Sequence, residues 1–136
     1  MLSHHAALVH VMTLVAAADA EMSDAELHTI GDMVNLLPVF GGYTTEDASR
    51  TAEVCVETLE QEEGLEKVIE QVRQSVPEGL RETAYVLGCD VAEADGAPRD
   101  EEWRLLAMLR EALAIDPLIA AALQRGARAR HATIDR

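Results

Sequence analysis

The sequence predicts an all-α fold, a single compact bundle of about seven helices, and three observations carry that prediction. Apolar residues recur at three- and four-residue spacing along the chain and nowhere alternate as a half-buried strand would. Helix-start signals, either capping hydroxyls or prolines, stand at the head of most periodic segments. The chain's 136 residues, 49% of them apolar, are enough to bury one core without disulfide staples and too few to favour a second.

The first helix, roughly Ser3 to Ala18, is apolar on nearly every side (Leu8, Val9, Val11, Met12, Leu14, Val15) and is expected to be central. The second starts at Ser23, where Ser-x-x-Glu with Glu26 reads as a capping box. Its stripe is Leu27, Ile30, Val34 and Leu37, and Pro38 ends it. The segment PVFGGYT, with two adjacent glycines, is the clearest break. Thr44 or Thr45 opens a third helix on Ala48, Ala52, Cys55 and Leu59, which Gly64 is expected to close. A short fourth carries Leu65, Val68, Ile69 and Val72. Pro77 suits the first turn of a fifth, whose Leu80, Ala84, Leu87 and Val91 face inward. The sixth runs from Pro98 or Arg99 to Ala114 on Trp103, Leu106, Leu109 and Leu113. Pro117 starts the last, on Leu118, Ile119, Ala122 and Leu123. The basic, polar tail RGARARHATIDR is expected to be mobile over about 126–136.

A formal charge of −14 repels phosphate backbones and anionic lipid and attracts cations or basic protein surfaces, so nucleic acid is excluded as a partner. The apolar run near the N-terminus lacks a basic leader region, and His10 interrupts it well short of the roughly 20 residues a membrane span needs. Cys55 and Cys89 fit neither a disulfide framework nor a zinc spacing. They read as reduced core thiols of a cytoplasmic protein.

One acidic phrase occurs twice. AADAEMSDAE at 17–26 aligns with EADGAPRDEE at 93–102, placing Asp19 over Asp95, Ala20 over Gly96, Asp24 over Asp100, Glu26 over Glu102 and Leu27 over Trp103. Each copy follows one helix and begins the next. The chain therefore reads as one domain over 1–136, with related helix-elbow-helix halves at about 1–37 and 77–114 and intervening helices at about 44–74.

The phrases VAAADAEMSDAEL at 15–27 and DVAEADGAPRDEEWRLL at 90–106, with the helical spacing between them, resemble the TerB-like tellurite-resistance family over nearly the whole chain. The resemblance implies an all-α domain with pseudo-twofold halves and elbow carboxylates that bind divalent cations. It extends to stress operons and to the N-terminal domain of membrane-anchored J-domain cochaperones. Ala20 departs from the glycine usual at the first elbow, which makes the second the better expected cation site.

Hard divalent cations such as calcium take six to eight oxygens, and an acidic loop followed by a helical glutamate can offer them. Glu93, Asp95, Gly96 and Glu102 match the third, fifth, sixth and twelfth positions of a calcium loop, but Val91 occupies the first, which rules out an EF-hand. A looser metal cluster of Asp90, Asp95 and Glu102 is expected instead, with Asp19 and Glu26 as its counterpart and Glu21 nearby. Against it stands the plain role of acidic residues at helix N-termini, as caps and dipole partners. The cation reading rests on both elbows keeping Asp and Glu seven residues apart while the residues between them differ.

Histidines offer no paired helical spacing. Glu53, Glu57 and Glu60 share one face of the third helix, either as a solvated stripe or as a surface for a basic partner. Trp103 and Tyr85 are expected in or beside the core, whereas Phe40 and Tyr43 flank the glycine pair where they could anchor a partner. No nucleophile elbow, phosphate loop or zinc-protease motif is present, and a metal-dependent hydrolase would have only Asp90, Asp95 and Glu102 to work with. The expectation is a non-enzymatic cytoplasmic tellurite-resistance or stress-response domain that binds a divalent cation, calcium or another, at its elbows. The alternative is an acidic protein–protein interaction module for a membrane-associated or chaperone partner, with elbow carboxylates serving only as caps.

Overall fold

The computed structural model describes residues 1–18 and 22–135. Among them are seven α-helices and no strand: α1 (His4–Ala16), α2 (Asp24–Leu36), α3 (Thr45–Leu59), α4 (Gly64–Ser75), α5 (Arg81–Ala92), α6 (Asp100–Ala112) and α7 (Pro117–Arg130). Single 3-10 turns at Pro38–Phe40, which begins on its proline, and at Glu78–Leu80, which follows Pro77, precede α3 and α5.

Helix α1 is the axis of the bundle. Every residue from Ala7 to Ala16 is buried, as a helix apolar on all sides must be when others surround it. It packs most extensively on α5 and α3, with α4 and α2 closing the ring. Gly88 permits the close approach of α5, since a Cβ there would already lie 3.3 Å from Val11 and 3.4 Å from Val15 and Leu106. Side-chain oxygens of Ser3, Ser23, Thr44 and Asp116 cap α1, α2, α3 and α7, so the free amides of these helix starts are met locally.

Several sequence expectations change. Pro77 leads into a 3-10 turn and α5 begins only at Arg81, and Leu118 and Ile119, expected on the buried side of α7, are 79% and 40% exposed. Gly64 opens α4 rather than closing α3. Glu63 before it takes the left-handed conformation at φ 55°, and a Cβ on Gly64 would fall 2.3 Å from the Thr58 carbonyl oxygen, so the tight α3–α4 corner requires glycine. Phe40 is core and not an exposed anchor, because the 3-10 turn folds its ring under His5 and leaves it 2% exposed. Leu27 and Trp103 both sit at the edge of the bundle, 49% and 40% exposed. In each case the preceding glutamate, Glu26 or Glu102, takes the inward position instead. The C-terminal segment is also more regular than its composition suggests. Helix α7 continues to Arg130, buries Ala120 and Ala127, and is pinned to α5 where Gln124 Nε2 donates to the buried Tyr85 hydroxyl over 2.6 Å.

Candidate functional site

The elbows lie where α1 gives way to α2 and α5 to α6. Asp19, Ala20 and Glu21 lie outside the described residues. From the first elbow the structure therefore shows Glu26 alone of the expected ligands. Its carboxylate turns back on its own helix start: Ser23 N–H donates to Glu26 Oε1 over 2.9 Å while the Ser23 hydroxyl accepts from Glu26 N–H over 3.0 Å. This is a complete capping box, and it leaves the Glu26 side chain 2% exposed.

The second elbow repeats half of that arrangement. Arg99 N–H donates to Glu102 Oε1 over 3.0 Å, and Glu102 is again 2% exposed. Arginine carries no acceptor, so the reciprocal bond made by Ser23 has no equivalent. The two glutamates that sequence alignment superposes are thus both held against the backbone amide three residues before them.

The aspartates of the second elbow diverge. Asp95 is exposed beside Gly96, which takes φ 124° and turns the chain toward α6. Asp90 points the other way, into the contact between α5 and α7, and is 3% exposed. Its Oδ1 accepts from Arg130 over 2.8 Å and lies 3.2 Å from His131 Nε2. Glu93, one turn on, is also buried. Among the described residues no group of three or more histidine, cysteine, aspartate or glutamate side chains converges as a metal site would require.

The cysteines add no thiolate chemistry. Burial pushes Cys55 up to about 12, and burial together with the charges of Asp90 and Glu93 pushes Cys89 to about 12, so both stay protonated at neutral pH and act as small core residues. No helix among the described residues is long and apolar enough to cross a membrane.

Two features of this region escape sequence reasoning. Arg130 and His131 reach Asp90 from 40 and 41 residues away, a pairing that no local spacing announces. The second is an apolar groove beside the first elbow, of about 610 Å³, between the end of α1 and helices α3, α4 and α6. Its walls come from four separate segments, so only the packed structure displays it.

No curated protein and no solved structure matches the chain. The family model of tellurite resistance protein TerB matches residues 5–125, a span that holds both elbows and ends before Arg130 and His131. With that span covering nearly the whole sequence and the all-helical fold between the elbows in place, the chain belongs to the TerB tellurite resistance family.

Proposed function

We propose that this TerB-family domain is a non-enzymatic, cytoplasmic, acidic interaction module that binds the basic surface of a partner protein, with its elbow carboxylates serving the fold. The observation that carries this reading is the shared use of Glu26 and Glu102, each accepting the amide of the residue three positions before it. Asp90 is likewise engaged, by Arg130. Carboxylates held by their own chain are poor candidates to reorganise around a cation, because each would have to surrender a hydrogen bond in a buried setting. The exposed Glu53 and Glu57 on α3 and Glu60 at its end, with a net charge of −14, supply the surface that a basic partner would meet.

The cation reading keeps one specific support: the second elbow and its flanking turns carry three buried carboxylates, Asp90, Glu93 and Glu102, beside the exposed Asp95 in sequence, although as folded they do not converge on one point. Thermal unfolding in calcium, magnesium, manganese or zinc chloride against potassium chloride of equal ionic strength separates the readings. The interaction-module reading expects equal melting temperatures. A cation present at about one hundred times its dissociation constant would add roughly 2.7 kcal/mol, or about 8–13 °C for a domain of this size. Such a shift, removed by Asp95→Asn with Glu102→Gln, would establish the elbow as the binding site.

A further inference from the structure

The groove beside the first elbow has a chemistry of its own. Leu14, Met22, Val56, Leu59, Leu105 and Met108 form its floor and walls. At Met22 and Val56 it meets a shallower trough that continues along α3 past Ala52 to Ser49. Together the two follow α3 from Ser49 to Glu60, a helical rise of about 16 Å and therefore the length of roughly three turns of a second helix. The rim is charged on one side of the balance. Glu53 and Glu57 stand along α3, Glu60 caps its end and Glu101 faces them from α6, against one guanidinium, that of Arg104, among the described residues. All five side chains belong to exposed residues, whereas Leu14 and Leu105 beneath them are buried.

We propose that this groove receives an amphipathic helix of a partner protein, its apolar face on the floor and its lysines or arginines against the α3 carboxylates. An apolar stripe flanked by charge of one sign selects a ligand helix with apolar anchors at i, i+3, i+4 and i+7 and basic flanks. Two adaptable methionines in the walls suit a surface that must accommodate anchors of differing shape. An acyl chain would satisfy the floor, but its carboxylate or phosphate head would meet Glu60 and Glu101. The inference rests on the interaction-module reading and gives that reading a place and a partner class.

The test uses the full chain and three synthetic 14-residue peptides: a helix with leucines on one face and lysines on the other, a scramble of the same composition, and a version with glutamate for lysine. Calorimetry at physiological salt is expected to give the first a Kd of about 50 µM or tighter, with the other two at least about tenfold weaker. Amide shifts on binding are expected to cluster on α3, α6 and the end of α1. Glu57→Lys with Glu60→Lys, both at exposed positions, is expected to weaken binding at least about tenfold while leaving the melting curve cooperative, and Met22→Ala with Met108→Ala to weaken it similarly. Equal binding of the scramble, or shifts mapping to another face, would overturn the groove while leaving an acidic interaction module standing. Equal binding of the glutamate peptide would overturn the basic partner class. Absence of binding by any peptide would undo both the groove and the module. A dimer of the free chain, seen by light scattering and dissociated by the methionine substitutions, would assign the groove to a second copy and overturn the proposal.

Discussion

Arg130 donates to Asp90 across 2.8 Å and joins the last turn of α7 to the last turns of α5, with His131 closing on the same oxygen at 3.2 Å. The Asp90 side chain is 4% exposed and that of Arg130 is 52%, so the pair couples a buried anion to a cation that still reaches water. A carboxylate in that position is stable only while something compensates it.

Arg130→Ala is accordingly expected to cost about 1–3 kcal/mol in urea unfolding, more than an exposed ion pair would, because it strips the buried Asp90 of its guanidinium partner and leaves the His131 ring to compensate it. Asp90→Asn combined with Arg130→Ala should cost less than the sum of the two single changes. Strict additivity in that cycle would show that the two side chains are not energetically coupled.

Glycines at two helical positions should respond in opposite directions. A Cβ on Gly64 would meet the carbonyl oxygens of Thr58 at 2.3 Å and Leu59 at 2.5 Å, and backbone cannot give way as a side chain does. Gly64→Ala is expected to destabilise by at least about 1–3 kcal/mol. Gly31, within α2, has nothing within 4 Å of its would-be Cβ, and Gly31→Ala should stabilise by roughly 0.5–1 kcal/mol through helix propensity. Denaturant midpoints of the two variants decide it; a neutral Gly64→Ala would mean that the α3–α4 corner relaxes freely.

What the sequence announces and what it hides divide along a physical line. Information that lives within one or two helical turns is readable: the Ser23–Glu26 box, the Thr44 start of α3, the all-round apolar character of α1 and the Pro117 start of α7 all appear where local chemistry puts them, whereas Pro77 opens a 3-10 turn ahead of α5 and not α5 itself. Periodicity misplaces Leu27 and Trp103 because it cannot tell that the glutamate just before each is drawn inward to a backbone amide, where it displaces the apolar stripe by one residue. The Asp90–Arg130 pair depends on how α5 and α7 pack and the groove on how α1, α3, α4 and α6 do, and contacts across such separations leave no spacing to read. Of the expected ligands, Asp90, Asp95 and Glu102 were visible as an acidic run, but their divergent directions were not.

Trp103 tests that edge placement directly. At 40% exposure, beside Pro98 and Arg128, it should emit as a partly hydrated indole and be quenched by acrylamide in the folded protein. Trp103→Ala is expected to cost about 1–2 kcal/mol, short of the roughly 3–5 kcal/mol of a core aromatic. A blue-shifted, unquenchable emission with a core-sized loss would place the ring inside the bundle.

The acid limb of stability should carry the mark of His10. This residue is 1% exposed on α1, and its Nδ1 lies 2.8 Å from the Ala6 carbonyl oxygen, so in the neutral ring Nδ1–H is the donor. Burial holds its pKa below the ordinary 6.5, with the Ala6 hydrogen bond opposing that shift in part. The unfolded chain, with its imidazole near 6.5, thus binds a proton that the folded chain refuses. By linkage, stability from this group is fully present above about pH 6.5 and is lost as pH falls from there through the depressed folded-state value. His10→Leu keeps the volume and removes the titration, so its unfolding free energy should decline less between about pH 7 and pH 5 than that of the parent chain. Protonation of the many carboxylates changes the −14 charge in both proteins alike, and the difference between the two curves isolates the histidine. Parallel curves would show that His10 takes up its proton in the folded chain as readily as in the unfolded one.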